Sequence, residues 1–337
     1  MHNIMVTGGA GFIGSHFVRF HENNPDVRIV VIDKLTYCSC LNNIQEFIDN
    51  GKILFYRRDI IDKELLNIMI HRNIEYVVNF AAETHVDRSI KDPRTFLETD
   101  VLGLFNLIQC SKKVGVKRFL HISTDEVYGP ILQGSADELF PLNPTSPYSA
   151  SKAAADMLLL MYYGTYDFPI LIARPCNQFG IYQYPEKLIP VTIIRLLKGE
   201  KAILHGKGQE VREWMWVEEC IRHLNDILWQ GEIGQIYNVG SGYRISNFEM
   251  IGKIMAILDK DQGQLEFIPN RPSNDRRYAI NSERLKNLRG FQFYSYFINM
   301  MDSLLTNIIS WYKRNPDWWG EVDLGYNIYK FEEEFLK

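Results

Sequence analysis

Apolar positions in the first half of the chain fall into short, nearly unbroken runs rich in β-branched residues, with longer mixed stretches between them. The runs are Asn3-Ile4-Met5-Val6, Arg28 to Ile32, Ile53 to Tyr56, Tyr76 to Phe80, Arg118 to Ile122 and Ile170 to Ala173. Continuous apolar runs, as opposed to strict alternation, mark strands covered on both faces. The stretches between them, such as Gly14 to Asn23 and Lys63 to Arg72, have the length and mixed polarity of helices. Strand–helix alternation of this kind predicts an α/β fold built on a doubly wound parallel sheet. From about Tyr182 the rhythm loosens, with more prolines, polar turns and aromatics. The pattern therefore predicts a main domain over 1–180 and a smaller C-terminal substrate-binding lobe over 181–337. A segment near 215–240, ending in Ile236-Tyr237-Asn238-Val239, is expected to return to the first sheet.

The first run leads directly into Thr7-Gly8-Gly9-Ala10-Gly11-Phe12-Ile13-Gly14. Glycines at 8, 11 and 14 permit a tight turn and close approach of backbone to a pyrophosphate, and the following helix N-terminus supplies amide donors. Asp33, nineteen residues after Gly14 at the end of the second run, fits the carboxylate that binds adenosine ribose hydroxyls. This unit makes the sheet Rossmann-type and implies NAD in preference to NADP, because Asp33 would repel a 2′-phosphate; Lys34 beside it works the other way. Asp59-Ile60, after the third run, stands either against the adenine or in a simple turn.

Composition narrows the class. The chain has 337 residues, 46% hydrophobic and 23% charged, with a net charge of −4. That charge gives no electrostatic case for nucleic acid or an anionic membrane. No stretch approaches the roughly 18 apolar residues that span a bilayer, and the N-terminus has no basic-then-apolar signal region. Five cysteines without metal spacing read as reduced thiols, and a cytoplasmic location is expected.

Two constellations carry chemistry. Tyr148-Ser149-Ala150-Ser151-Lys152 sets a phenol and an ammonium four residues apart, on one face of a helix started by Pro147. The cation favours the phenolate, which can take a proton from a sugar hydroxyl while hydride leaves the same carbon. The second is Ser123-Thr124-Asp125-Glu126-Val127-Tyr128-Gly129, two adjacent acids at the end of an apolar run. Such a pair either caps a helix and faces water, or serves as acid and base in opposite protonation states.

The glycine motif, Asn79 to Glu83, Tyr148 to Lys152 and the chain length resemble the extended short-chain dehydrogenase/reductases. HVDRSI at 85–90, STDEVYG at 123–129, YSASKAAADM at 148–157, YPEKLIP at 184–190, VREW at 211–214 and DRRYAI at 275–280 narrow the resemblance. They are similar to the nucleoside-diphosphate-glucose 4,6-dehydratases, with the dTDP-glucose enzymes closest. The resemblance implies a lyase that oxidises C4, removes water across C5 and C6, and returns the hydride to C6. It implies Tyr148 and Lys152 at the redox step, Asp125 as acid, Glu126 as base, and Thr124 on the C4 hydroxyl. It carries Gly8, Gly11, Phe12, Ile13, Gly14, Asp33, Lys34, Leu35, Thr36, Asp59, Ile60, Ala81, Ala82, Thr99, Tyr148, Lys152 and Gln178 to NAD. It carries Thr84, Thr124, Asn177, Lys187, Leu188, Arg212, Asn274, Asp275, Arg276, Arg277 and Tyr278 to the sugar nucleotide, with Arg212 and Arg277 clamping the diphosphate. No metal is implied. A homodimer through helices of the first lobe is.

Several residues depart from the family pattern: RPCNQFG at 174–180, Asp100, His205, Tyr243 and Asn274. They leave the nucleotide base open between dTDP- and UDP-glucose. A sugar-nucleotide epimerase or decarboxylase of the same fold has little use for the acid pair, and a non-catalytic NAD-binding protein has none for Tyr148 and Lys152.

Overall fold

The computed structural model describes residues 1–270, 272–289 and 299–320. Twelve strands follow one another among the described residues: β1 (His2–Thr7), β2 (Val27–Asp33), β3 (Ile53–Arg57), β4 (Tyr76–Asn79), β5 (Arg118–Ile122), β6 (Ile170–Pro175), β7 (Asn177–Phe179), β8 (Ala202–His205), β9 (Val211–Trp216), β10 (Ile236–Val239), β11 (Arg244–Ser246) and β12 (Leu265–Ile268). Seven of them form one sheet in the order β10-β6-β5-β4-β1-β2-β3. Every pair in it is parallel, with Val6 opposite both Val31 and Val78. Helices cover both faces, so Ile4, Val6, Val31 and Val78 fill one core while Met5, Val30, Ile32 and Val77 fill another. This is why these strands read as continuous apolar runs. The strand order reverses between β1 and β4, the place where a doubly wound sheet opens a crevice at its carboxyl edge.

Local starts and stops differ from the periodicity. The first helix is Phe12–Phe20 and not Gly14 to Asn23, because extended Gly11 already precedes the first helical turn and His21 turns the chain out, its N–H reaching Val18 O. The stretch Lys63 to Arg72 is helical over Leu65–His71, two residues late, after a turn in which Asp62 Oδ1 accepts from Glu64 N.

Beyond β6 the chain builds two smaller sheets, β11-β9-β7 and β12-β8. Helices Leu188–Leu197, Asn247–Ile257 and Met301–Arg314 pack around them on a core that includes Ile193, Ile254, Leu305 and Tyr312. Helix Val217–Gln230 belongs with the first lobe: Val217, Cys220, Ile221 and Leu224 join the same core as Val6 and Val31. It delivers the chain to β10, which pairs with β6. Among the described residues no helix is long and apolar enough to cross a membrane, and no group of His, Cys, Asp or Glu could hold a metal.

Candidate active site

The β1–helix loop is made for backbone contact. Gly8 has φ 69° and its N–H donates to Ile32 O. A Cβ at Gly14 would lie 2.2 Å from Gly8 O and 2.9 Å from Gly9 Cα. The loop is pinned from β2: Asp33 Oδ2 accepts from Ala10 N at 3.0 Å and Oδ1 from Leu35 N at 2.8 Å. Gly8, Gly11, Phe12, Ile13, Gly14, Asp33, Lys34, Thr36, Asp59, Ile60, Ala81, Ala82, Thr99 and Gln178 all line one large cleft along the carboxyl edge of the sheet. Leu35 does not. Its φ of 57° turns its side chain onto the core. Lys34 is neutralised in place, with Asp59 at 3.5 Å, Glu83 at 3.4 Å and the Thr99 hydroxyl at 3.1 Å.

Tyr148 and Lys152 lie on helix Pro147–Tyr166, which a capping box between Ser146 and Ser149 starts at a fixed point. Both line the cleft. Lys152 is 2% exposed and donates to Ile122 O at 2.7 Å. Burial lowers its pKa, opposed by Asp100 and Asp156. Burial, then Glu126 and Asp100, push the Tyr148 phenol well above its ordinary range, against a hydrogen bond with Thr124. Asp100 sits in a π-helical turn, Glu98–Gly103, where it accepts from Glu83 N at 3.0 Å and Ser151 Oγ at 2.7 Å. Burial raises its pKa to about 6.

The strand-end acids occupy a 3-10 turn, Asp125–Tyr128, and the cap is Thr124, whose hydroxyl accepts from Glu126 N at 3.2 Å. Neither acid is spent as the cap. Asp125 is 3% exposed, and burial, then Glu126 and Glu213, raise its pKa well above the carboxylate range. Burial there disfavours the charged form. Glu126 is half-buried, and both line the cleft with Thr124.

On the second-lobe side Thr84, Asn177, Lys187, Leu188, Arg212, Asn274 and Tyr278 line the cleft. Lys187 Nζ donates to Thr84 O at 2.5 Å. Arg212 donates to Asp275 O at 2.8 Å and Asn274 Oδ1 at 3.2 Å, over the Tyr278 ring at 4.5 Å. Asp275, Arg276 and Arg277 are not on the lining. Asp275 Oδ2 accepts from Thr145 and Tyr278. The Arg277 guanidinium is committed to the carbonyls of Ile131 and Gly134. Among the described residues the cations on the lining beside the sugar-nucleotide set are thus Arg212 and Lys187, with Arg277 off it. Tyr243 also leaves the site, packing on the second core, whereas His205 lines the cleft.

His85, Asp87 and Trp214 line the cleft too. Their signal was positional only, inside or next to HVDRSI and VREW. Buried polar atoms without a protein partner, Asp125 Oδ2, Asn177 Oδ1 and Gln178 Oε1, belong to lining residues. Together with a loop that a single Cβ would fill, they fit a dinucleotide on one side and a polar substrate on the other.

A family model described as GDP-mannose 4,6 dehydratase matches residues 5–303. The low-salt glycan biosynthesis protein Agl12 of Haloferax volcanii is 44% identical, over 85% of this chain and 92% of its own. An Arabidopsis thaliana trifunctional enzyme, RHM2, whose first activity is UDP-glucose 4,6-dehydratase, is 38% identical over 95% of this chain and 48% of its own. The structure of DesIV, a dTDP-glucose 4,6-dehydratase from Streptomyces venezuelae with NAD and TYD bound, superposes with a TM-score of 0.90 at 38% identity, covering 95% of this chain and 100% of that one.

Proposed function

The chain belongs to the GDP-mannose 4,6 dehydratase family, and from that premise we propose that it converts a nucleoside-diphosphate-glucose, dTDP-glucose first, to the 4-keto-6-deoxy sugar nucleotide. One observation carries the reading: a buried Asp125, its charged form disfavoured, stands beside Glu126 on the cleft that also holds Tyr148 and Lys152. An epimerase needs only the last two.

The roles follow from chemistry. Gly8, Gly11 and Gly14 would admit the pyrophosphate of NAD and Asp33 would hold its ribose, and NAD would supply the hydride acceptor for C4 and donor for C6. Lys34, already matched by Asp59 and Glu83, offers little to an extra phosphate, which favours NAD over NADP. Tyr148, with Thr124 beside it, takes the proton of the C4 hydroxyl, and Lys152 stabilises the phenolate. The ketone makes the C5 proton acidic. Glu126 removes it, and Asp125 protonates the C6 hydroxyl, which leaves as water. Arg212 and Lys187 hold the diphosphate.

UDP-glucose is the second substrate reading, supported by the likeness to RHM2 and by Asn274 and His205 on the cleft. Residues 1–180 with the returning segment hold NAD in this scheme, and 181–337 mainly hold the sugar nucleotide. A homodimer is supported by an apolar face: Leu97, Leu102 and Phe105 are about half exposed, as are Met157 and Met161 on helix Pro147–Tyr166. A cytoplasmic site of action suits a soluble nucleotide-sugar substrate.

The test mixes the purified protein with dTDP-, UDP-, GDP- and CDP-glucose and follows the alkali-induced absorbance of a 4-keto-6-deoxy sugar. Signal with dTDP-glucose supports the reading; signal with none of them overturns it.

A further inference from the structure

Ala10 stands in the middle of the glycine loop, and both of its backbone polar groups are held. Its N–H donates to Asp33 Oδ2 at 3.0 Å. Its carbonyl accepts twice, from Cys40 N at 3.1 Å and from Asn43 Nδ2 at 3.1 Å. Asn43 closes the 3-10 turn Leu41–Asn43 and is 1% exposed. Its other amide atom, Oδ1, accepts from the indole N–H of Trp318 at 3.0 Å. Trp318 lies on the short helix Pro316–Trp319, 275 residues further along the chain, and packs on the core of the second lobe. The reaction scheme gives neither residue a role, and neither lines the cleft.

The orientation of the Asn43 amide is forced. An indole N–H only donates and a backbone carbonyl only accepts. The amide must therefore turn its oxygen to Trp318 and its NH2 to Ala10. The reverse would set N–H against N–H on one side and oxygen against oxygen on the other.

Trp318 is itself held in place. Its ring centroid lies 5.1 Å from that of Trp311 and 6.2 Å from those of Tyr182 and Tyr312. From the first lobe, Arg19 on helix Phe12–Phe20 sets its guanidinium 5.3 Å from the Tyr182 ring and donates to Asn43 O at 3.2 Å. Asn43 is thus closed on from both lobes.

We propose that Asn43 and Trp318 are positioning residues for the dinucleotide: the Trp318 indole, reaching over from the second lobe, fixes the Asn43 amide in the one orientation that holds the Ala10 carbonyl, and with it the glycine loop, in the form that admits the pyrophosphate. The inference rests on the reading of that loop as the NAD site. Releasing the hold lowers the fraction of loop in the competent form, and NAD affinity falls with that fraction.

The test is calorimetry of NAD binding to the full-length protein freed of nucleotide, with dTDP and UDP as a second pair of probes. Trp318→Phe keeps an aromatic ring and removes the N–H. It should weaken NAD about fivefold, the size of one lost hydrogen bond. Asn43→Ala should weaken NAD about tenfold, and the double variant no more than Asn43→Ala alone, because Trp318 acts through Asn43. Nucleoside-diphosphate affinity should hold in all three. Wild-type NAD affinity in Trp318→Phe overturns the proposal, as does a loss that adds to that of Asn43→Ala. A loss that falls on the nucleoside diphosphates and spares NAD also overturns it, since that is what a merely structural place in the second lobe would give. A wild-type protein that takes no NAD overturns the cofactor reading and the proposal together. Coupling is reciprocal, so the wild-type protein supplies a test that needs no variant. Saturating NAD should slow backbone hydrogen exchange over residues 316–320 as well as over 8–14, read by mass spectrometry. Protection confined to the first lobe overturns the proposal.

Discussion

Asp125 and Glu126 are neighbours on one turn, yet their environments differ. Asp125 is closed off from water, which disfavours its charged form; Glu126 keeps partial access. Asp125→Asn and Glu126→Gln are each expected to slow dehydration by about 10² or more while leaving C4 oxidation intact. Only Glu126→Gln should block exchange of the C5 proton with solvent deuterium, which NMR of the recovered sugar reads. Tyr148→Phe should lower kcat by about 10² to 10⁴ with much less effect on substrate affinity. Asp125 also makes stability depend on pH. Its folded-state pKa is raised, so its contribution is fully present below the ordinary carboxylate value and is lost as pH rises through the folded-state value. Thermal melts should therefore find Asp125→Asn more stable than the parent in alkaline buffer, with the gap closing on acidification. At this scale the sequence picked out residues that share one cleft, Asp125, Glu126, Tyr148 and Lys152, because each stands in a dense motif. It did not expose which arginine lines the cleft. Arg277 shares its motif with Tyr278, but whether its guanidinium meets a diphosphate or the Ile131 and Gly134 carbonyls depends on a loop more than 140 residues away in sequence.

The elements most legible in the sequence are the seven parallel strands, since burial on both faces writes a continuous apolar run. Strands β7, β8, β9, β11 and β12 escaped because they are short or carry polar residues toward the cleft, as β9 does with Arg212. Helix ends escaped because turn hydrogen bonds, more than periodicity, set them. The glycine loop can be tested as an element. Gly14→Ala forces a Cβ onto the Gly8 carbonyl, which is backbone and cannot swing away. The expected result is loss of NAD binding by calorimetry and a stability loss of about 1–3 kcal/mol. Gly252→Ala is the contrast: the residue is exposed within helix Asn247–Ile257 and its Cβ would meet nothing within 4 Å. It should stabilise the protein by about 0.5–1 kcal/mol without touching catalysis.

At the scale of the whole molecule, the two lobes matter because the cleft draws on both: the dinucleotide loop and acid pair from the sheet, Arg212 and Lys187 from beyond it. The change of rhythm near Tyr182 is where the sequence reading puts that division. The helix that carries the chain back to the sheet was harder to read, since Val217–Gln230 is amphipathic and its partner core lies some 200 residues earlier. The apolar face on helix Pro147–Tyr166 lies on the helix of Tyr148 and Lys152, so assembly would brace the redox pair. Met157→Glu should shift the protein to monomer in light scattering, with part of its activity lost. The central claim is an internal transfer of hydride from C4 to C6 with water lost between. It is tested most directly by giving the purified protein dTDP-[4-²H]glucose in ordinary water, with no reductant, and locating deuterium in the product by NMR. Deuterium at C6 of a 4-keto-6-deoxy sugar is the result expected. Deuterium retained at C4 of an epimer, or lost from the sugar altogether, would contradict the account.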